Sequence, residues 1–268
     1  MSARPAPDPR ASDPPRPGAD GARRDATVGL ALATAIVAAW IAVHVVTVFH
    51  WRWTPAGAVL APLAIALQTW LGAGLFIVAH DAMHGSLAPG RPRLGDAFGR
   101  LALALYAGFS YDRLLPKHRL HHRHAGTALD PDFDADHPDA FWPWYGRFMR
   151  EYMGVREVAA LAAITAIWTL LLGAPLPNLL AFWALPAILS SLQLFRWGTW
   201  LPHRHDALPF ADRHRARSDA RGPWVTLLTC FHFGLHHEHH RSPRTPWWRL
   251  PALARGAPAD RPAPGRPG

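Results

Sequence analysis

Long apolar blocks separated by short polar links dominate the chain. Four of them, at about 27–49, 57–79, 157–173 and 178–197, read as bilayer-spanning helices, the third being short and rich in Ala and Leu. The links at 50–56 and 174–177 leave room only for tight turns, so the blocks pair as two hairpins. Two further apolar runs, about 97–109 and 224–235, are too short to span and read as interfacial or re-entrant segments. The ends differ in kind. Residues 1–26 and 252–268 are rich in Pro and Arg and are expected to be disordered tails around a membrane domain at 27–251. No signal peptide is expected, because the first apolar run starts late and lacks a small-residue cleavage site. The predicted fold is an all-α integral membrane domain of about four transmembrane helices.

Composition agrees with a membrane setting and adds an orientation. Half of the residues are hydrophobic and 18% are charged, below the roughly 25% usual in soluble domains. The net charge of +9 would also fit a nucleic-acid binder, but no basic stretch is interleaved with aromatics as single-strand binding requires. Of the 28 basic residues, 27 fall in the N-terminal tail, in 80–156 or in 196–268, and only Arg52 falls in a link on the other side. Basic residues mark the cytoplasmic side. Both termini and both long loops are therefore expected to face the cytoplasm, and the Ala-, Pro- and Arg-rich composition hints at a bacterial cytoplasmic membrane. The single cysteine, Cys230, excludes an internal disulfide and a thiolate zinc cluster.

The same loops carry the histidines. His80 and His84 stand in HDAMH where the second span ends, His118, His121 and His122 in HRLHH, His236, His239 and His240 in HHEHH, and His203 in GTWLPHR. Helical positions i, i+3 and i+4 share a face, so each box aims its imidazoles at one point. An HxxHH pattern is expected by chance about 0.07 times in such a chain, and two occur. Nine imidazoles are too many for one tetrahedral zinc and suit two metal ions with open positions. Asp81, Asp112, Asp130, Asp132 and Glu238 are candidates to orient the ligand rings by accepting their second N–H. His44, inside the first span, reads as a packing or polar-network residue, although an intramembrane ionisable group is a functional suspect by default. His124, His232 and His237 are left open as ligands.

The nearest approach to a zinc-protease motif, His237-Glu238-His239-His240-Arg241, has Arg where the second His is needed. Carboxylate-bridged di-iron bundles use Glu pairs, whereas this chain uses histidine throughout. The boxes resemble those of the membrane fatty acid desaturase and hydroxylase superfamily. The text around them is similar to one branch, the bacterial-type β-carotene ketolases (carotenoid 4-oxygenases): KHRLHHRHAGTALDPDF at 117–133, GTWLPHR at 198–204, FHFGLHHEHH at 231–240 and PWWRLP at 246–251. Arg241-Ser242-Pro243 departs from the pattern after the third box, where a histidine-bearing loop is expected, and no ligand position departs from it.

That resemblance implies two ferrous ions, O2, electrons from a ferredoxin-type donor or other reductase, and a carotenoid taken from the bilayer. The implied reaction converts the C4 and C4′ methylenes of β-ionone rings to ketones, by two hydroxylations and loss of water. A ring-bearing polyene needs a wide apolar mouth, for which Phe109, Tyr111, Phe133, Trp200, Phe231 and Phe233 beside the boxes are candidates. A fatty acyl desaturase or alkane hydroxylase, or a carotenoid ring hydroxylase, shares the same core. A histidine-rich metal transporter would place its ligands within the spans, where only His44 lies.

Overall fold

The computed structural model describes residues 18–206, 209–219 and 221–256, and every regular element among them is helical. The order is α1 (Ala19–Phe49), α2 (Pro55–His84), α3 (Pro92–Ala107), α4 (Tyr111–His124), α5 (Phe141–Tyr152), α6 (Val155–Leu171), α7 (Leu176–His203), α8 (Pro223–Cys230), α9 (His236–Arg241) and α10 (Leu250–Gly256). Helices α1, α2 and α7 are long and apolar enough to cross a membrane. The expected span at 157–173 corresponds to α6, which meets that test only jointly with α5, across a bend of 79°. Two spans pair as α1 and α2, and α6 and α7 form the second hairpin.

Helix α2 is the centre. Thr54 caps its start by accepting the Gly57 N–H at 3.1 Å, with Pro55 at the first helical position, where a missing N–H costs nothing. It ends where Gly85 takes a left-handed conformation, φ 69°, open to glycine. Between these ends it packs against α1, α3, α7 and α8. Small residues permit that crowding: a Cβ at Gly74 would collide with Phe231 and Ile36. Helix α3, expected as an interfacial segment, lies along α2 and turns at Gly108, φ 69°. Helix α7 contains two π-helical turns, 180–184 and 196–200, the second just before His203.

Two boundaries differ from the sequence expectation. Helix α1 begins at Ala19, so 19–26 is helical rather than part of a disordered tail. Its Asp25 is buried and ion-paired with Arg249, which gives this polar turn a partner the sequence did not reveal. Helix α10 likewise runs to Gly256, past the expected boundary at 252. The remaining tail positions, 1–17 and 257–268, lie outside the described residues.

The two hairpins are pinned at the end remote from the histidines by one side chain. Asn178 is 1% exposed. It donates to the carbonyls of Val48 (3.2 Å) and Trp51 (3.1 Å) and accepts from Trp53 Nε1 (2.7 Å). Asn178→Leu removes all three bonds and should cost about 1–3 kcal/mol, seen as a lower Tm in detergent. An unchanged Tm would show that the turns hold without this pin.

Candidate metal centre and substrate cavity

The histidine boxes sit at helix ends that meet on one side of the domain. His80 and His84 occupy the last two turns of α2, and His203 ends α7. Helix α4 presents His118, His121 and His122, and α9 presents His236, His239 and His240. All nine come together in two adjoining groups. The candidate ligand atoms of His80, His84, His118, His122 and His239 all lie within 4.8 Å of one another, as do those of His121, His203, His236 and His240. The groups touch through His122 and His240, whose rings stack at 4.2 Å.

Their electrostatics are those of electron-pair donors. Burial, reinforced by neighbouring imidazoles, holds His118, His122, His236, His239 and His240 well below the ordinary histidine pKa, so these rings are neutral. Ring nitrogens face one another at 2.7 Å (His84–His118), 3.1 Å (His122–His239) and 3.0 Å (His236–His240). Nε2 of His80 and of His203 are buried without a hydrogen-bond partner. Converging buried imidazole nitrogens, two of them without any hydrogen-bond partner, fit metal cations, and neutral imidazole suits iron among others.

The carboxylates divide. Asp130 faces His121 Nδ1 at 3.0 Å through both oxygens, and is itself fixed by the N–H groups of Gly126 and Asp132, each at 2.9 Å. Burial would lower the pKa of His121, but Asp130 and Asp132 outweigh it and raise it to about 9. A ring made this basic at Nε2 is a stronger ligand. Asp132 lies 3.6 Å from the same nitrogen and accepts from the Tyr152 hydroxyl. Asp81 is buried and accepts the Trp247 N–H at 3.0 Å, so the PWWRLP segment is a strap tied to the first box. Glu238, also buried, accepts from Ser218, whose oxygen takes the His237 N–H at the start of α9. Asp112 corrects the expectation: it is exposed and paired with Arg100 at 2.7 Å, away from both groups, because it faces outward on the first turn of α4.

Of the histidines left open, none joins either group. His232 bonds Thr226 (2.8 Å), His237 bonds Asp212 (2.8 Å), and His124 is on the last turn of α4. His44 stacks on Trp40.

An apolar cavity of about 440 Å³ opens beside the cluster and reaches His80, His118, His121 and His236. Phe109 and Phe233 line it; Tyr111, Phe133, Trp200 and Phe231 do not. Tyr111 turns its hydroxyl to Asp96 (3.0 Å), and Phe133 packs on Trp144 and Phe195. Trp200 donates to the Asp139 carbonyl (2.9 Å), and Phe231 stacks on Trp70. Instead α5 supplies Tyr145, Phe148, Met149 and Tyr152, with Met153 following and Met83 opposite on α2. The first four have the spacing i, i+3, i+4, i+7 of a helix face, a periodicity that could have identified them. Gly198 admits Phe233, whose ring occupies the space a Cβ there would need.

The sequence pattern of the fatty acid desaturase family matches residues 53–157 and 150–267. The chain belongs to that family. It is 50% identical over 237 residues to a protein named beta-carotene ketolase from Paracoccus sp. (strain PC1), covering 88% of this chain and 95% of that one. It is 54% identical over 223 residues to another of that name from Paracoccus sp. (strain N81106 / MBIC 01143), covering 81% and 88%. A zeaxanthin 4-ketolase from Chlamydomonas reinhardtii is 38% identical over 250 residues, covering 85% of this chain and 54% of its own length. Family membership and the apolar helices make this a membrane protein with a histidine-built metal site.

The two carboxylates furnish a test. Asp130→Ala should weaken metal retention about 10–100-fold, read by metal analysis of purified protein, whereas Asp112→Ala should retain metal as the parent does. Equal metal content in both would remove Asp130 from the site.

Proposed function

We propose that this protein is a β-carotene 4-ketolase, a non-haem di-iron oxygenase converting the C4 and C4′ methylenes of β-ionone rings to ketones. One observation carries the reading: an apolar cavity ends on the buried histidine cluster in a chain half identical to proteins named beta-carotene ketolase. His80, His84, His118, His121, His122, His203, His236, His239 and His240 would hold two iron ions. Iron would supply the activation of O2 that cleavage of a strong allylic C–H bond requires. Electrons come from an external donor such as ferredoxin.

The protein's own part is placement. Phe109, Phe233 and Phe76 form an apolar wall against the cluster, where a ring can lie with one methylene toward the metals. Burial of the cluster keeps water from the reacting carbon. Asp130 keeps the Nδ1 proton of His121 in place and leaves Nε2 free for metal. Tyr152 and Asp132, hydrogen-bonded to each other at the cavity edge, hold a proton beside the ring. Two hydroxylations at one carbon and loss of water then give the ketone.

Expression in a β-carotene-producing bacterium should yield echinenone and then canthaxanthin, and His121→Ala or His240→Ala should yield neither and bind less iron. A protein that leaves β-carotene untouched while oxidising a fatty chain would replace this reading with an acyl desaturase or hydroxylase.

The distribution of basic residues supports a cytoplasmic side for both termini and the metal site. The tertiary contacts support a shared side, since Gly29 near the start of α1 lies against Leu87 and Trp248 beside the boxes. A reporter after Gly268 should behave as cytoplasmic and one near Arg52 as external; the opposite pattern would overturn the orientation.

A further inference from the structure

The cavity has a buried end and an open side. At its histidine end the lining residues His80, His121 and His236 are each no more than 3% exposed, and His118 is half-buried. Its α7 wall runs from Thr199 back to Trp183, a length of about 24 Å at helical rise, most of the roughly 30 Å hydrocarbon core. Along that wall Ile188 lines the cavity and yet is 55% exposed, so the inner and outer surfaces of the protein meet there.

The facing helix, α6, explains the opening. None of its residues is buried, although Leu161 and Thr165 line the cavity. It is fastened at its ends. At the histidine side, Glu157 accepts the Gly154 N–H (3.0 Å) and pairs with Arg113 (3.4 Å). At the far side Trp168 is wedged between His44 and Trp183, with ring centroids at 4.5 and 4.7 Å. One flank rests on Gly108, against Ala160 and Ile164. A 79° bend separates α5 from α6, and α6 and α7 both line the cavity. His44, stacked on Trp40 at 4.6 Å, thereby acquires a role: it anchors the far end of α6 inside the membrane.

We propose that the substrate enters sideways from the bilayer, through a slot between α6 and α7 bounded by Leu161, Thr165, Ala184 and Ile188. This rests on the reading that the cavity holds a lipid-phase polyene. A rigid apolar chain dissolved in hydrocarbon then reaches the metals ring first without crossing water, and its trailing part stays in lipid. The exposed rim is apolar apart from the Thr165 hydroxyl, as a lipid-facing opening requires.

The test measures capture rather than turnover. Purified iron-loaded protein is mixed with β-carotene-bearing vesicles without O2 or reductant, re-isolated, and its bound pigment read by absorbance. Thr165→Trp combined with Ile188→Trp should lower captured pigment per protein about tenfold, as a 1.4 kcal/mol penalty would, with iron content unchanged. Leu170→Trp, on the same helix but 80% exposed to lipid, should capture as the parent does. Ala184→Leu narrows the slot more gently and serves if the double variant does not fold. Parental capture by an iron-loaded narrowed variant, or no capture by the parent protein, would overturn the portal. Because no turnover is needed, failure of the ketolase reading would show separately, as absence of ketone when O2 and reductant are supplied.

Discussion

Nine imidazoles packed into one largely buried space are the constraint from which the rest follows. A neutral imidazole is comfortable in a low dielectric only if its N–H has an acceptor and its lone pair a donor or a cation. Here ring nitrogens face one another across 2.7–3.1 Å, and His80 Nε2, His203 Nε2, His236 Nδ1 and His240 Nδ1 are buried with no hydrogen-bond partner. The arrangement without metal is therefore frustrated, and binding of cations relieves it. Metal affinity becomes folding free energy for the ends of four helices. Those ends come from α2, α4, α7 and α9, and each is separately tied: Asp81 to Trp247, His121 to Asp130, His203 Nδ1 to the Arg215 carbonyl at 2.7 Å, and the start of α9 to Ser218.

What the sequence revealed and what it hid have one physical origin. The three boxes were legible because their spacing is a helix period, and a short helix fixes the mutual direction of i, i+3 and i+4 side chains without help from the fold. Whether a carboxylate near a box serves it is not local. Asp112 and Asp130 stand at similar sequence distances from His121, but one faces solvent on the first turn of α4 and the other is folded back by its own turn. Nearness in sequence likewise misplaced the cavity wall. Tyr111, Phe133, Trp200 and Phe231 neighbour the boxes along the chain and pack elsewhere, while α5, remote from any box, brings a complete helical face. Its periodicity was readable, but nothing local says which surface that face meets.

The spans show the same division. Apolar length identified α1, α2 and α7. The character of α6 was not readable from hydropathy, because a helix lying on a lipid-filled opening and one packed in a bundle have the same composition. What distinguishes α6 is the bend that precedes it and the absence of buried residues along it, both products of tertiary packing. The early start of α1 is another such case: Asp25 reads as tail until Arg249, more than two hundred residues away, supplies its counter-charge.

The sulfur atoms are unevenly placed. The single thiol, Cys230, is fully buried away from the cavity, whereas three thioethers, Met83, Met149 and Met153, line it. Thioethers are readily oxidised, and the sulfoxide is polar where the parent group is apolar. Were O2 activated with no carbon chain in front of it, these methionines would be among the oxidisable side chains facing the cavity. Each misfired cycle would wet a wall built for hydrocarbon, so the enzyme's working life is tied to how reliably its cavity is filled. Abundant substrate would then protect the catalyst, and scarcity would age it.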